Sequence, residues 1–106
     1  MVKNDTIAAI ATAMSDSGIG IVRISGSEAI LVADRIFQSH KKGKCLKDVS
    51  SHTVHYGMVY DGQEPIDEVL AVVMKGLHSY TAEDTVEIDC HGGVLGMKRI
   101  LETVIK

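Results

Sequence analysis

Residues 84–104, DTVEIDCHGGVLGMKRILETV, change from the side-chain period of a β-strand to that of an α-helix. Between Asp84 and Cys90 apolar and polar residues alternate, which places Glu87 and Asp89 together on the polar face of a strand. After Gly92-Gly93 the apolar residues recur at helical spacing, namely Val94, Met97, Leu101 and Val104. The stretch therefore predicts a half-buried strand followed directly by an amphipathic helix.

The rest of the chain predicts four more strands and one more helix. The expected strands span residues 6–12, 20–25, 52–60 and 69–74, and the expected helix runs from an N-cap at Ser27 to about Gln38. Asp61-Gly62 is a hairpin signal, and residues 39–51 are expected to form a surface connection. The order β-β-α-β-β-β-α predicts one α+β domain.

Two of these strands carry specific expectations about their faces. In the third strand the alternating apolar residues that share a face are Val54, Tyr56, Met58 and Tyr60. The continuous apolar run at 69–74, VLAVVM, predicts a central strand covered on both faces, with Pro65 just outside it.

Composition excludes several classes of protein. The 106 residues are 45% hydrophobic and carry 14 acidic against 11 basic side chains, with one basic cluster at residues 40–44, which argues against autonomous nucleic-acid binding. Two cysteines are too few for a disulfide framework and favour a reducing compartment. The apolar runs are shorter than a membrane span, so a cytoplasmic protein with no membrane contact is expected.

Catalytic and metal-binding motifs are poorly supported. Cys90 and His91 are adjacent in an extended strand, so their side chains point to opposite faces and a nucleophile–base pair is disfavoured against core packing of Cys90. The five histidines have no metal-ligand spacing, and no G-x-x-x-x-G-K-[ST] phosphate loop occurs. We expect no catalytic residue and no metal site.

Three features leave a ligand site open. Glu87 and Asp89 fit either a solvated strand face or a carboxylate that reads a ligand. Arg23, within the apolar segment GIVRIS, needs an anionic or carbonyl partner, which is either a structural salt bridge, for example to Asp67 or Glu68, or a ligand. The junction at residues 91–93 is either a glycine turn or an anion-binding helix start.

Three separated motifs carry a family resemblance: DTIAAIATA (5–13), GIGIVRISG (18–26) and SYTAEDTVEIDCHGG (79–93). Together they resemble the amino-terminal domain of the tRNA-modifying GTPase family MnmE, also called TrmE. The resemblance implies a single β2-α-β3-α unit with a mixed sheet, like half of the aminomethyltransferase folate-binding fold. It also implies that residues 1–106 form a homodimer that binds 5-formyl- or 5,10-methylenetetrahydrofolate, with Arg23 and Glu87 as the folate contacts.

For the full-length protein the resemblance implies a GTP hydrolase stimulated by potassium. With an MnmG-like flavoprotein, such a bacterial GTPase modifies carbon 5 of the wobble uridine of tRNA. The GTPase and helical domains are absent from these 106 residues, which are expected to bind folate without turnover. Two departures from the family are Ala82, where the family often has glycine, and the loop at 13–17. The altered turn at Ala82 and the truncation leave a dimerisation scaffold that holds no folate as an alternative, and a small Cys-His enzyme using Cys90 is a further one.

Overall fold

A computed structural model describes residues 6–11, 19–76, 83–91 and 93–106. Their strands form one sheet of six in the order β1-β2-β6-β5-β4-β3, accompanied by two α-helices. The elements are β1 (Ile7–Ile10), β2 (Gly20–Ser25), α1 (Ala29–Ile36), β3 (Phe37–Ser39), β4 (Thr53–Asp61), β5 (Glu64–Met74), β6 (Thr85–Cys90) and α2 (Gly93–Ile105), with a 3₁₀ turn at Leu46–Asp48. The predicted α+β class is confirmed.

Every strand pairing in this sheet is antiparallel, whereas a mixed sheet was expected. The β4–β5 hairpin reverses the chain at Gly62, which has a φ of 63°. β6 then lies between β5 and β2 and runs antiparallel to both. Neighbouring strands therefore run in opposite directions across the whole sheet. Helix α1 connects β2 to β3, the strand at the far edge.

The first helix differs from its sequence prediction at both ends. It begins at Ala29 after Glu28, which forms no side-chain cap, so the predicted cap at Ser27 is wrong. It ends at Ile36, because Phe37 to Ser39 pair with β4 as an edge strand and do not continue the helix to Gln38. Gly57 makes that pairing possible, since a Cβ there would overlap the carbonyl oxygen of Gln38.

Both helices pack on one face of the sheet, where they form a single core. Strand residues with no exposed surface include Val22, Ile24, Val86, Ile88 and Cys90, and they meet the buried stripe of α2 at Met97, Ile100 and Val104. The predicted alternation of β6 is thus confirmed. The strand and the helix that the sequence places next to each other bury their apolar sides against one another.

The third strand alternates as predicted, and the side that carries Val54 and Tyr56 is its exposed side. The covered side of β4 carries His55, Gly57 and Val59, whereas Val54 and Tyr56 are 57% and 50% exposed on the other side. In β5 only every second residue is fully buried, so the strand is central but not covered by helices on both faces. Pro65 lies within β5, beside a register shift at Val59/Tyr60.

Candidate ligand-binding face of the sheet

The face of the sheet opposite the helices, called here the open face, joins charged and apolar side chains in cross-strand rows. The strand register places Ala9, Arg23, Glu87, Val72 and Val54 in one such row. The neighbouring row contains Ile21, Asp89, Leu70 and Tyr56. Two carboxylates and one guanidinium therefore stand beside a strip of aliphatic and aromatic side chains.

Arg23 and Glu87 are direct cross-strand partners, on β2 and β6. The guanidinium donates two hydrogen bonds to Glu87 Oε2, from Nε at 2.9 Å and from a terminal nitrogen at 2.6 Å. The Arg23 side chain is 48% exposed and that of Glu87 19%. The structure thus brings together the two residues for which the sequence allowed a ligand role.

The salt-bridge partners predicted for Arg23 are wrong. Asp67 accepts a hydrogen bond from the backbone N–H of His91 at 2.8 Å, and Glu68 lies 3.3 Å from His40 Nε2. The register of β2 against β6 gives Arg23 a nearer acid in Glu87. That register depends on a contact between strands more than sixty residues apart in the chain, which local sequence does not reveal.

Asp89 is the least satisfied acid of the open face. Its Oδ1 is buried and has no hydrogen-bond partner among the described residues. Burial is the main cause that raises the pKa of this carboxyl, the nearby charge of Glu87 raises it further, and His91 opposes the shift. A ligand donor reaching Oδ1 would remove an unpaired buried acceptor, a property that the alternating sequence pattern alone did not single out.

Cys90 belongs to the core, as predicted. Its side chain has no exposed surface, and its thiol lies 3.4 Å from the carbonyl oxygen of Gly20. Burial, followed by the charges of Asp67 and Asp89, raises the pKa of the thiol to about 11. The thiolate needed for nucleophilic chemistry is therefore scarce at neutral pH.

The junction before α2 is described only in part, because Gly92 lies outside the described residues, as do Ala82 and the loop at 13–17. Gly93 has a φ of 69°, and the N–H of His91 is used by Asp67. Within residues 6–11, 19–76, 83–91 and 93–106, no three His, Cys, Asp or Glu side chains group as metal ligands. No helix in these ranges is long and apolar enough to cross a bilayer.

Comparison of the sequence with known proteins identifies the family of this chain. Residues 6–106 match the family described as GTP-binding protein TrmE N-terminus. The chain belongs to the TrmE family. It is 56% identical over 104 residues to the tRNA modification GTPase MnmE of Lachnoclostridium phytofermentans, an alignment that covers 98% of this chain and 23% of that relative.

Two further relatives of the same name show a similar degree of identity. The tRNA modification GTPase MnmE of Alkaliphilus metalliredigens is 56% identical over 108 residues, covering 100% of this chain and 23% of the relative. That of Clostridioides difficile is 51% identical over 102 residues, covering 96% and 22%. The TrmE-family chain described here thus spans less than a quarter of the length of these relatives.

Proposed function

We propose that this chain is the folate-binding and dimerisation module, residues 1–106, of a tRNA modification GTPase. The observation that carries the proposal is the position of Arg23 and Glu87, which face each other across β2 and β6 on the sheet face opposite α1 and α2. Two groups of opposite charge, separable by a ligand, stand there beside apolar side chains. A flat heterocycle with polar edges suits such a surface.

The chemistry of the pair matches a reduced folate. Both hydrogen bonds from Arg23 end on Glu87 Oε2, while Oε1 forms none among the described residues. A carboxylate can accept two N–H bonds from the aminopyrimidine edge of a pterin, and a guanidinium suits its carbonyl or a folate carboxylate. Since Arg23 is half exposed, opening this ion pair costs little, roughly 1 kcal/mol or less before the ligand contacts form.

The proposed homodimer uses the apolar part of the open face. Val54 and Tyr56 are about half exposed, and the neighbouring Leu70, Val72 and Met74 are partly exposed. A contiguous apolar strip of this kind is typical of a surface that another protein surface or a ligand covers. A second copy of the chain would cover it and close the folate site from one side.

For the complete protein we propose tRNA modification and GTP hydrolysis, the two activities that the relatives' name states, together with the details that the family resemblance implies. It would hydrolyse GTP in the presence of potassium and, with an MnmG-like flavoprotein, modify carbon 5 of the wobble uridine of tRNA in the cytoplasm. The one-carbon unit would come from 5,10-methylenetetrahydrofolate, with 5-formyltetrahydrofolate as a stable analogue. The module described here would hold that folate.

One observation favours a second candidate, a dimerisation scaffold that holds no folate. Arg23 and Glu87 form a direct ion pair with each other, as an ordinary structural pair does. In that case the open face would serve only the contact between subunits. The two candidates differ in whether folate binds, and both predict a dimer.

Calorimetric titration with 5-formyltetrahydrofolate, combined with sedimentation, tests the proposal. We expect a dimer whose folate affinity falls at least about tenfold in Glu87→Gln and in Arg23→Gln, because each change removes a charge-assisted hydrogen bond. Glu64→Gln is the control, since Glu64, which is more exposed than Glu87, forms an ion pair with the similarly exposed Arg99 on another part of the surface. A dimer without binding heat would favour the scaffold, and a monomer without binding heat would contradict both candidates.

A further inference from the structure

A cavity of about 550 Å³ lies between the segment 41–50 and the beginning of β4, away from the open face. Its charged or titratable lining consists of Lys41, Lys42, Lys44, Cys45, Asp48 and His55. The three ammonium groups form no ion pair with any described residue. With three lysines against one aspartate, the cavity attracts anions.

His55 forms the internal wall of this cavity and is only 6% exposed. Its Nε2 lies 2.7 Å from Thr53 Oγ1, and that hydroxyl lies 2.6 Å from the carbonyl oxygen of Ser50. A carbonyl can only accept, so the single hydroxyl hydrogen goes to Ser50 and the oxygen accepts from His55. His55 Nε2 therefore carries the hydrogen.

This assignment leaves the other ring nitrogen of His55 as a lone-pair acceptor. Nδ1 is buried and has no hydrogen-bond partner among the described residues. Burial, followed by the charge of Lys44, lowers the pKa of this imidazole and keeps it neutral near pH 7. An unpaired buried acceptor is costly unless a ligand donates to it.

We propose that the cavity binds a phosphate group that carries a titratable proton, as inorganic phosphate and phosphate monoesters do. Lys41, Lys42 and Lys44 supply the positive charge, and the phosphate O–H donates to His55 Nδ1. A dianionic phosphate beside a protonated imidazole is the same hydrogen-bonded complex with the proton moved to nitrogen. In both descriptions one proton lies between the ligand and His55.

The shared proton gives the site a chemical preference. Sulfate and phosphodiesters have no proton to donate at neutral pH, so they require His55 to take one from solvent against its lowered pKa. A phosphate monoester has its second pKa near 6 and is partly protonated close to neutrality. Phosphate and its monoesters are therefore preferred over the diester linkages of a nucleic-acid backbone.

The pH dependence follows from the same proton. Well above pH 7 neither the free ligand nor free His55 holds it, so binding must take up one proton and the affinity falls with rising pH. We expect glycerol phosphate, a monoester with a second pKa near 6, to bind about tenfold more weakly at pH 8 than at pH 7.

Calorimetric titration of the 106-residue chain with inorganic phosphate, glycerol phosphate, dimethyl phosphate and sulfate tests the proposal. We expect the first two to bind about tenfold or more tightly at pH 7 than the last two, with proton uptake at pH 8 detected by varying the buffer's ionisation heat. Glycerol phosphate separates a monoester site from one that fits only the free ion. Absence of phosphate binding, or equal affinity for sulfate, would overturn the proposal.

Two variants test the site, so that the test remains decisive even if replacing the buried His55 prevents folding. His55→Gln retains a donor toward Thr53 but replaces the basic ring nitrogen with an amide oxygen that cannot take up a proton, so phosphate affinity should fall and binding should no longer take up a proton at pH 8. Lys44→Gln changes an exposed side chain and should weaken binding about tenfold. Lys98→Gln, an equal charge change on exposed α2 surface, is the control; a Lys44 variant that matches it would contradict the site.

Discussion

The two faces of the sheet use the same alternating strands for different purposes. On the helix-covered face Val22, Ile24, Val86 and Ile88 have no exposed surface and form one continuous core. On the open face the residues between them include Arg23, Glu87 and Asp89, whose charges are paired, half solvated or unsatisfied. Stability is thus concentrated on one side of each strand, and the other side is free to carry a ligand site.

The largest expected contrast is between two isoleucines on opposite faces. Ile24→Ala should lower the free energy of unfolding by roughly 2–5 kcal/mol, because it removes a fully buried side chain and leaves a cavity. Ile7→Ala should cost less than about 1 kcal/mol, since Ile7 is 62% exposed. Urea denaturation measures both, and equal losses would contradict the division between the faces.

The two cysteines sharpen the contrast between core and surface. Cys90 is buried with a pKa of about 11, whereas Cys45 is exposed. We expect a thiol reagent at pH 8 to modify Cys45 at least about a hundredfold faster, because Cys90 lacks both access and thiolate. Cys45→Ser should abolish the fast phase; a fast phase that survives would assign reactivity to Cys90 and revive the Cys-His enzyme.

The ion pair on the open face should matter little for folding. Removing it in Glu87→Gln should change the free energy of unfolding by about 1 kcal/mol or less, because Arg23 is half exposed and an exposed pair is screened by water. A double-mutant cycle with Arg23→Gln, measured by thermal unfolding, gives the coupling. Coupling well above 2 kcal/mol would mark the pair as a structural element and weaken its proposed role in binding.

The substitution Asp89→Asn is expected to have the smallest effect on stability, and the direction of that effect follows from the pKa of Asp89. Its pKa is raised in the folded state above its usual 3.8, so its contribution to stability is present below pH 3.8 and is lost as pH rises through the folded-state pKa. Asp89→Asn should therefore stabilise the protein at pH 7 by no more than about 1 kcal/mol, and the gain should disappear below about pH 4. Thermal unfolding at pH 3.5 and pH 7 measures this difference; a variant less stable at pH 7 would contradict it.

Local pattern was sufficient for several elements. The span of β2 and the alternation of β6 follow directly from residues 20–25 and 85–90, because a strand places successive side chains on opposite faces. The core position of Cys90 followed from the same alternation. The three sequence motifs identified the family by resemblance, and the family match over residues 6–106 confirms it.

Other features needed contacts between distant parts of the chain. The end of α1 is set by the pairing of Phe37 with Val59, so helical spacing alone gave a wrong answer there. The internal face of β4 is set by where the helices pack, which apolar alternation alone does not specify. The antiparallel sheet likewise depends on which strands become neighbours. Propensity yields to tertiary context at such positions.

The sequence by itself determined which residues can form strands and helices and which family the chain resembles, since side-chain period and short motifs are local properties. Only the tertiary structure decided that Arg23 meets Glu87 and that one apolar side of β4 remains exposed. It also left Nδ1 of His55 with no hydrogen-bond partner in the described part of the chain, in a cavity that three lysines line. These outcomes depend on register and packing between residues far apart in the chain, and no local pattern encodes them.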